Sequence, residues 1–333
     1  MKASAIRIPT SPPPIAPVAS DAERPLWSIM IPAYNCATYL KDALVSVLAQ
    51  DLGKERMQIE VVDDASTDVD VEALVASIGG GRVQYFRQPV NVGSLRNFET
   101  CINRSRGHLI HLLHGDDRVI AGFYDKLTHL FQEHPEAGAI FTHYASIDAA
   151  GTRIYVPPLV STEGILQNWL LRIAEYQRIQ YVSIAVRREV YEKLGSFYGT
   201  SYGEDWEMWV RIARHYPMAY TPDVLAEYRG HVDSISSGKA AAGLMIPDLM
   251  QVIARIQQHL PDEDKKRILK LSKKRYADFG VGAAYHILEQ KGDWSLAQTQ
   301  IKQALTMSKH PSIYYHLFKF YIKLVLVKYK INL

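Results

Sequence analysis

From residue 26 onward, short runs of β-branched and other apolar residues alternate with segments of helical periodicity. The predicted strands are residues 26–31, 59–62, 83–86 and 108–113, and the predicted helices between them are residues 40–48 and 94–105. Strands that alternate with helices in this way are typical of a parallel sheet covered by helices. The sequence therefore predicts an α/β fold.

Acidic residues come directly after two of these predicted strands. Asp63 and Asp64 follow the second strand, and Asp116 and Asp117 follow the fourth. In open parallel sheets, ligands bind outside the carboxyl ends of the strands. This placement predicts a nucleotide at that edge of the sheet.

The chain divides into regions of different composition. Residues 1–25 contain six prolines, so we expect a disordered leader. Residues 26–238 form the predicted α/β domain, with a nucleotide half at 26–118 and an acceptor half at 119–238, where a strand at 139–144 and a helix at 204–215 are predicted. Residues 239–333 read as a helical region, and its run GDWSLAQTQIKQAL resembles one helix of a tetratricopeptide-type hairpin.

Bulk charge and cysteine content exclude several classes of protein. The chain has 38 Lys and Arg against 35 Asp and Glu, a net charge of +3, which does not favour nucleic acid as a partner. Cys36 and Cys101 form neither a disulfide framework nor a zinc site, which fits a reducing cytoplasm. No secretory signal is expected, and no apolar run reaches the roughly 18 residues of a membrane-spanning helix.

Four segments in a fixed order carry a family resemblance. They are IMIPAYN (residues 29–35), VVDDASTD (61–68), LLHGDD (112–117) and GEDWEMW (203–209). They resemble the motifs of inverting family-2 glycosyltransferases, many of which build bacterial polysaccharides, and the resemblance covers residues 26–237. It implies a GT-A fold, with a Rossmann-like mixed sheet flanked by helices, and transfer of a sugar from a nucleoside diphosphate sugar to an acceptor hydroxyl with inversion.

The tandem Asp116 and Asp117 suggest a metal site. A diphosphate leaving group departs with extra negative charge, which a divalent cation can neutralise, and Mg²⁺ prefers oxygen ligands. Taken alone, an Asp-Asp pair is commonly a turn or a helix cap. The resemblance implies that Asp116 contacts the ribose or the metal and that Asp117 binds the metal, Mn²⁺ or Mg²⁺. His114 stands where many relatives have a further acidic residue.

The resemblance also implies donor-binding residues. Pro32, Tyr34 and Asp64 match positions that hold the nucleobase, and Arg96 matches an arginine that reaches the base or the phosphates with its fork of donors. An alternative for VVDDASTD is that Asp63 and Ser66 cap the next helix.

The acceptor hydroxyl has a high pKa and needs a general base, for which a carboxylate is suited. The resemblance places the base at Asp205, with Glu204 orienting the acceptor or sugar; alternatively, both stabilise a helix N-terminus. In YRGHVDSIS (residues 228–236), His231 matches a histidine near the metal or diphosphate, and Arg229 and Ser234 are compatible with phosphate.

Two other classes share parts of this pattern. A nucleotidyltransferase would carry a glycine-rich basic loop after the first strand, and a nicotinamide dehydrogenase would carry G-x-G-x-x-G there. The segment that follows the first strand in this chain, PAYNCATYL, contains neither motif. A nucleotide-sugar-binding protein without transferase activity stays open, although the presence of Asp205 argues against it.

The end of the chain is basic. Lys302, Lys309, Lys319, Lys323, Lys328 and Lys330 follow Asp293 without a further Asp or Glu. A helix with Lys319, Lys323 and Lys330 on one face and apolar residues elsewhere suits an anionic membrane interface, or packs on the domain with its lysines in solvent. We expect a cytoplasmic protein, peripheral on the inner face of the plasma membrane, whose acceptor is a saccharide or lipid-linked saccharide in cell-surface polysaccharide or glycolipid synthesis.

Overall fold

The computed structural model describes residues 7–19 and 23–328, and of residues 290–291 and 323–328 it describes the backbone alone. The strands are β1 (Trp27–Ala33), β2 (Met57–Asp63), β3 (Gln84–Arg87), β4 (Leu109–Leu112), β5 (Arg118–Val119), β6 (Ala139–Ile147), β7 (Arg153–Tyr155), β8 (Gly164–Ile165), β9 (Ile184–Arg187) and β10 (Met218–Arg229). The helices are α1 (Ala37–Leu48), α2 (Val71–Gly79), α3 (Ser94–Arg104), α4 (Phe123–Glu133), α5 (Trp169–Glu175), α6 (Arg188–Leu194), α7 (Glu204–His215), α8 (Ile235–Ala241), α9 (Met245–Ile256), α10 (Asp262–Lys291), α11 (Trp294–Met307) and α12 (Pro311–Lys328), with 3₁₀ turns at Tyr181–Ser183 and Gln257–His259.

The strands form one mixed sheet in the order β3-β2-β1-β4-β9-β6-β10-β5. Strands β1 to β4 are parallel, whereas β9 is antiparallel to both β4 and β6, and β10 is parallel to β6 but antiparallel to β5. The predicted strands and helices of the first half are confirmed, as is the mixed α/β fold. In register, Ala33 lies opposite Asp63 and Met30 lies opposite Leu112, so the segments after β1, β2 and β4 leave the sheet at one edge.

The centre of the sheet is buried on both faces. Every residue of β1 and β2 is buried, including Ile29, Ile31 and Val61. Strands covered by helices on both sides read as continuous apolar runs rather than as an alternating pattern. Each such side chain contributes about 1.5–3 kcal/mol through burial, which holds the strand ends in place.

The chain divides into two compact units. The first contains the residues up to Trp169 together with Arg178–His231, and the second contains Leu170–Gln177 together with the residues from Val232. The boundary predicted after residue 238 would fall inside α8. In the second unit α11 forms the helix predicted from the tetratricopeptide-like run, and Asp293 caps it by accepting a hydrogen bond from the Leu296 amide.

Residues 7–19 pack on the first unit, so the prediction of a disordered leader is wrong for this segment. The carbonyls of Pro9 and Pro13 accept hydrogen bonds of 2.8 Å from the amides of Gly199 and Ser196. A proline lacks an N–H but keeps its carbonyl, and its fixed φ leaves little backbone entropy to lose on docking. Gly195, with a φ of +77°, lets the chain approach, since a Cβ there would lie 2.7 Å from the Pro13 carbonyl oxygen.

We expect Ile15→Ala to lower the free energy of unfolding by about 2 kcal/mol in urea denaturation, because Ile15 is only 4% exposed. Ile8→Ala is the matched control, since Ile8 is 38% exposed. This variant should lower the free energy of unfolding by much less. Equal small losses for the two variants would show that the segment contributes nothing to the stability of the fold.

Candidate active site

The candidate site is built around the loop between β4 and β5, which carries His114, Asp116 and Asp117. The loop continues from the sheet, because the Gly115 amide lies 3.3 Å from the Pro32 carbonyl and donates to it. A Cβ on Gly115 would lie 2.7 Å from the Sγ of Cys36, so only glycine fits here without displacing its neighbour. The close approach brings the loop against the start of α1.

Arg229, at the end of β10, holds this loop from the other side. Its backbone amide donates to Oδ1 of Asp117 at 2.8 Å, and its Nε donates to the Asp116 carbonyl at 2.8 Å. Its Nη2 donates to Asp42 at 2.8 Å, and the guanidinium lies 4.9 Å from the Tyr39 ring centroid. From the sequence Arg229 is compatible with phosphate, and in the structure its side-chain donors bind the protein itself.

One imidazole nitrogen and two carboxylate oxygens converge in the loop. Ligand atoms of His114, Asp116 and Asp117 all lie within 4.8 Å of one another. In the described part of the chain, Nε2 of His114 is buried and has no hydrogen-bond partner. A buried polar atom without a partner is uncommon and marks a position where a ligand can bind. The sequence left His114 without a role, although its place next to the tandem carboxylates was a usable signal.

The electrostatics of the loop suit a cation. Burial raises the pKa of Asp117, and the neighbouring Asp116 charge raises it further. Burial also raises the pKa of Asp116, but the hydrogen bond from His231 acts against it, and the pKa of Asp116 is lowered overall. Burial lowers the pKa of His114, which keeps the imidazole neutral and able to bind a metal. A divalent cation would relieve the repulsion between the two carboxylates, so these residues fit Mn²⁺ or Mg²⁺.

His231, which the family resemblance put forward, lies beside this group. Its Nε2 is 2.9 Å from Oδ2 of Asp116, and its ring packs against Tyr39 with centroids 4.7 Å apart. It contacts the group through Asp116, and its role as a metal ligand stays a prediction. Ser234 caps α8 by accepting a hydrogen bond from the Ser237 amide.

Asp64, the predicted nucleobase ligand, anchors the loop before α3. Its Oδ1 accepts from the Val92 amide at 2.7 Å, and its Oδ2 accepts from the Gly93 amide at 2.9 Å and from Nδ2 of Asn91 at 3.0 Å. Burial raises the pKa of Asp64, whereas the two amide hydrogen bonds lower it. The carboxylate therefore fixes the 91–93 loop at this edge of the sheet, and a direct bond to a nucleobase stays a prediction.

Tyr34 and its neighbours belong to the loop that follows β1. Pro32 is buried within β1, whereas Tyr34 is exposed at the strand end. The Asn35 amide donates to Oγ of Ser66 at 2.9 Å, and the Thr67 amide donates to Oδ1 of Asn35 at 2.8 Å. These bonds hold the loops after β1 and β2 together next to Tyr34.

The alternative that Asp63 and Ser66 cap the next helix is wrong. Asp63 is buried, and its oxygens accept from the Ser66 amide, from the Tyr85 hydroxyl and from Arg87. The cap of α2 is Asp70, whose side chain accepts from the Ala73 amide.

Arg96 lies in the first turn of α3, where Nη1 donates to Oε2 of Glu99 at 2.6 Å. Its contact with the base or phosphates stays a prediction. Arg7, from the docked N-terminal segment, also reaches this area and bonds to Oδ1 of Asn91. Sequence reasoning missed Arg7 because the segment carrying it was expected to be disordered.

Tyr181 connects the acidic loop to the start of α7. Its ring lies 4.4 Å from the His114 ring between centroids, and its hydroxyl donates to Oε1 of Glu204 at 3.3 Å. Burial raises the pKa of Tyr181, and the nearby Glu204 and Asp205 charges raise it further. His114 and Glu204, about 90 positions apart in the sequence, thus both contact Tyr181. The sequence did not single out Tyr181.

The two predicted catalytic carboxylates occupy the first turn of α7. The helix follows Gly203, whose φ of +84° turns the chain into it, and residues 204–215 are helical as predicted. Oδ1 of Asp205 accepts from the Trp206 amide at 2.7 Å, which fixes the carboxylate at the helix N-terminus. Glu204 is buried against Tyr181.

A parallel half, a mixed second half and acidic residues at their shared edge are the features of the GT-A class of glycosyltransferase fold. Among solved structures, S. aureus TarS 1-349 in complex with UDP-GlcNAc aligns with a TM-score of 0.62 at 15% identity, over 84% of this chain and 79% of that one. A mannosyltransferase from Pyrobaculum calidifontis, in complex with GDP-Man and Mn²⁺, aligns with a TM-score of 0.54 at 18% identity. The alignment covers 90% of this chain and 89% of that one.

The chain belongs to glycosyl transferase family 2, whose sequence model matches residues 28–195. An uncharacterized protein of Mycobacterium tuberculosis is 36% identical over 37% of this chain, and an uncharacterized glycosyltransferase of Rickettsia felis is 26% identical over 62% of it. The aligned parts cover 38% and 34% of those two relatives. The family membership predicted from the four motifs is confirmed.

If the loop binds a divalent cation, Mn²⁺ should raise the melting temperature of the protein, because a ligand that binds only the folded state stabilises it. We expect Asp117→Asn to weaken Mn²⁺ binding on the order of 100-fold in calorimetry, since it removes a buried anionic ligand. Asp125→Asn, which changes an exposed carboxylate in α4, is the control. Unchanged affinity in Asp117→Asn would remove the loop as the metal site.

Proposed function

We propose that this protein transfers a glycosyl group from a nucleoside diphosphate sugar to an acceptor hydroxyl with inversion at the anomeric carbon. The observation that carries the proposal is the junction at Tyr181, where the His114, Asp116 and Asp117 group and the Glu204 and Asp205 carboxylates approach one another. Transfer needs a site for the leaving diphosphate beside a site for the attacking hydroxyl, and we propose that the two groups at this junction form them.

The donor is proposed to lie along the carboxyl edge of β1, β2 and β4. Pro32 and Tyr34 would flank the nucleobase, and Asp64 would present the 91–93 loop to it while Arg96 binds the base or phosphates. TarS contains UDP-GlcNAc and the Pyrobaculum mannosyltransferase contains GDP-Man, which supports this class of donor. The exposed Tyr34 ring offers a face on which a base can stack.

The metal proposed for the loop is Mn²⁺ or Mg²⁺, held by Asp117, Asp116 and His114, with His231 supporting Asp116. When bound, it supplies positive charge that stabilises the departing diphosphate. Imidazole suits transition metals, whereas Mg²⁺ favours oxygen ligands, so the presence of His114 favours Mn²⁺. The Mn²⁺ in the Pyrobaculum mannosyltransferase supports the same choice.

Asp205 is the proposed general base. Its carboxylate takes the proton of the acceptor hydroxyl as that oxygen forms a bond to the anomeric carbon and the bond from this carbon to the diphosphate oxygen breaks. Attack opposite the leaving group inverts the configuration. Glu204, held by the Tyr181 hydroxyl, would orient the acceptor or sugar.

Asp205→Asn should lower turnover on the order of 10²–10⁴-fold while donor affinity stays near that of the wild type, because the amide keeps the shape but cannot accept the proton. Glu204→Gln should lower turnover by less than Asp205→Asn does. Donor affinity is measured by calorimetry, and turnover is measured from the initial rates of transfer. If Asp205 only stabilised the helix terminus, Asn would serve nearly as well there, and turnover would stay within a few-fold.

The same assay separates the alternatives to a transferase. A nucleotide-sugar-binding protein without transferase activity would bind the donor and release no nucleoside diphosphate with any acceptor. A nucleotidyltransferase would instead release pyrophosphate from a nucleoside triphosphate and a sugar phosphate. The proposal requires nucleoside diphosphate release that depends on an acceptor and on metal.

We also propose that α12 contacts an anionic membrane surface, where a saccharide or lipid-linked acceptor of polysaccharide or glycolipid synthesis would be found. Tyr315 and Phe318 are 55% and 64% exposed, and Nζ of Lys319 lies 4.6 Å from the Tyr315 ring centroid. Exposed aromatic rings beside lysine are typical of helices in the membrane interface. The side chains of Lys323 and Lys328, and all of Lys330, lie outside the described residues, in which no helix is long and apolar enough to cross a bilayer.

Replacing Tyr315 and Phe318 by serine should reduce sedimentation of the protein with phosphatidylglycerol vesicles, because it removes apolar area that the lipid would bury. Ile154→Ser is the control, since Ile154 is 63% exposed but lies in the first unit. Equal sedimentation of the double variant and the wild type would refute membrane contact through α12.

A further inference from the structure

The second unit contains a lysine-lined cleft between α10 and the turn that joins α11 to α12. Its volume is ≈ 510 Å³, within the range of small-molecule sites. We call it the lysine cleft and define it by its basic side chains, which are Lys266, Lys270, Lys273, Lys274 and Lys309. Leu269 and the buried Met307 contribute apolar surface.

The positive charge of the lysine cleft is largely uncompensated within the described residues. Lys265, Arg267 and Lys274 pair with acidic residues of their own helix, at 2.7, 2.8 and 3.2 Å. Lys266, Lys270, Lys273 and Lys309 form no such ion pair in the part of the chain described. No Asp or Glu of the described residues lines the cleft. Four like charges held close together repel one another, and a bound anion would remove that cost.

Helix geometry explains why these lysines converge. Residues 266, 270, 273 and 274 are spaced by three and four positions in α10, which places them on one face of the helix. Ser308, Lys309 and His310 come immediately before α12, an 18-residue helix whose N-terminus carries partial positive charge. The lysines of α10 and the turn before α12 therefore line the same space.

We infer that the lysine cleft is a binding site for a ligand that carries phosphoryl groups. Several lysines act as point charges and suit the multiple negative oxygens of phosphate esters better than a single carboxylate. The Ser308 hydroxyl adds a neutral donor at the rim. Such phosphoryl groups could belong to a soluble phosphorylated saccharide or to a lipid headgroup, which share this chemistry. The site belongs to the second unit alone and does not depend on the proposed transfer reaction.

The test uses the full chain in EDTA, which withholds divalent metal from the acidic loop of the first unit. Sodium tripolyphosphate is the soluble probe in calorimetry, and phosphatidylcholine vesicles with and without phosphatidic acid are the lipid probe in sedimentation. The Lys270→Gln and Lys273→Gln double variant should bind at least about tenfold more weakly than the wild type, with the affinity of the wild type falling as salt rises. Lys265→Gln, which changes a lysine outside the cleft, is the control, and circular dichroism melting shows that each variant is folded.

Tripolyphosphate binding that the double variant loses and the control keeps assigns soluble phosphate esters to the lysine cleft. Binding confined to phosphatidic acid vesicles, with the same dependence on Lys270 and Lys273, assigns a lipid headgroup. Absence of binding in both arms, or equal binding by the double variant, the control and the wild type, would overturn the inference.

Discussion

The hydrogen bond from the Arg229 amide to the Asp117 carboxylate joins the two halves of the first unit at the site. Asp117 leaves the parallel half after β4, and Arg229 ends β10 of the mixed half, so neither half alone fixes the loop. The side chain of Arg229 also binds the Asp116 carbonyl and Asp42. A buried arginine that binds two residues of the loop and Asp42 of α1 is costly to leave unsatisfied, which makes the loop conformation strongly determined.

That rigidity holds two carboxylates and an imidazole close together in the loop. Asp117 is 1% exposed, and its ionised form gains little from water, so it depends on a nearby cation or proton. The His114 ring packs against Phe98 and Tyr181, whose ring centroids are 5.1 and 4.4 Å away. Packing of this kind would fix the imidazole before a metal binds and reduce the entropy lost on binding.

The sequence predicted the first half of the fold well because its signals are local. Strand and helix periodicity located β1 to β4 and α7, and the acidic residues after β2 and β4 marked the carboxyl edge. Contacts between distant segments could not be predicted in this way. Proline content suggested disorder for residues 7–19, yet their carbonyls found donors at Ser196 and Gly199, and only the fold brings Tyr181 between His114 and Glu204. Arg229 looked available for phosphate because its partners lie far away in sequence.

The central claim is that Asp116, Asp117 and His114 hold the cation that faces a nucleoside diphosphate. Crystals grown with Mn²⁺ and a nucleoside diphosphate, measured for anomalous scattering at the manganese edge, test it most directly. The account predicts an anomalous peak at coordination distance, about 2.0–2.6 Å, from carboxylate oxygens of this loop and from the diphosphate. A diphosphate bound elsewhere, or bound at this edge with no manganese on Asp116 or Asp117, would contradict it.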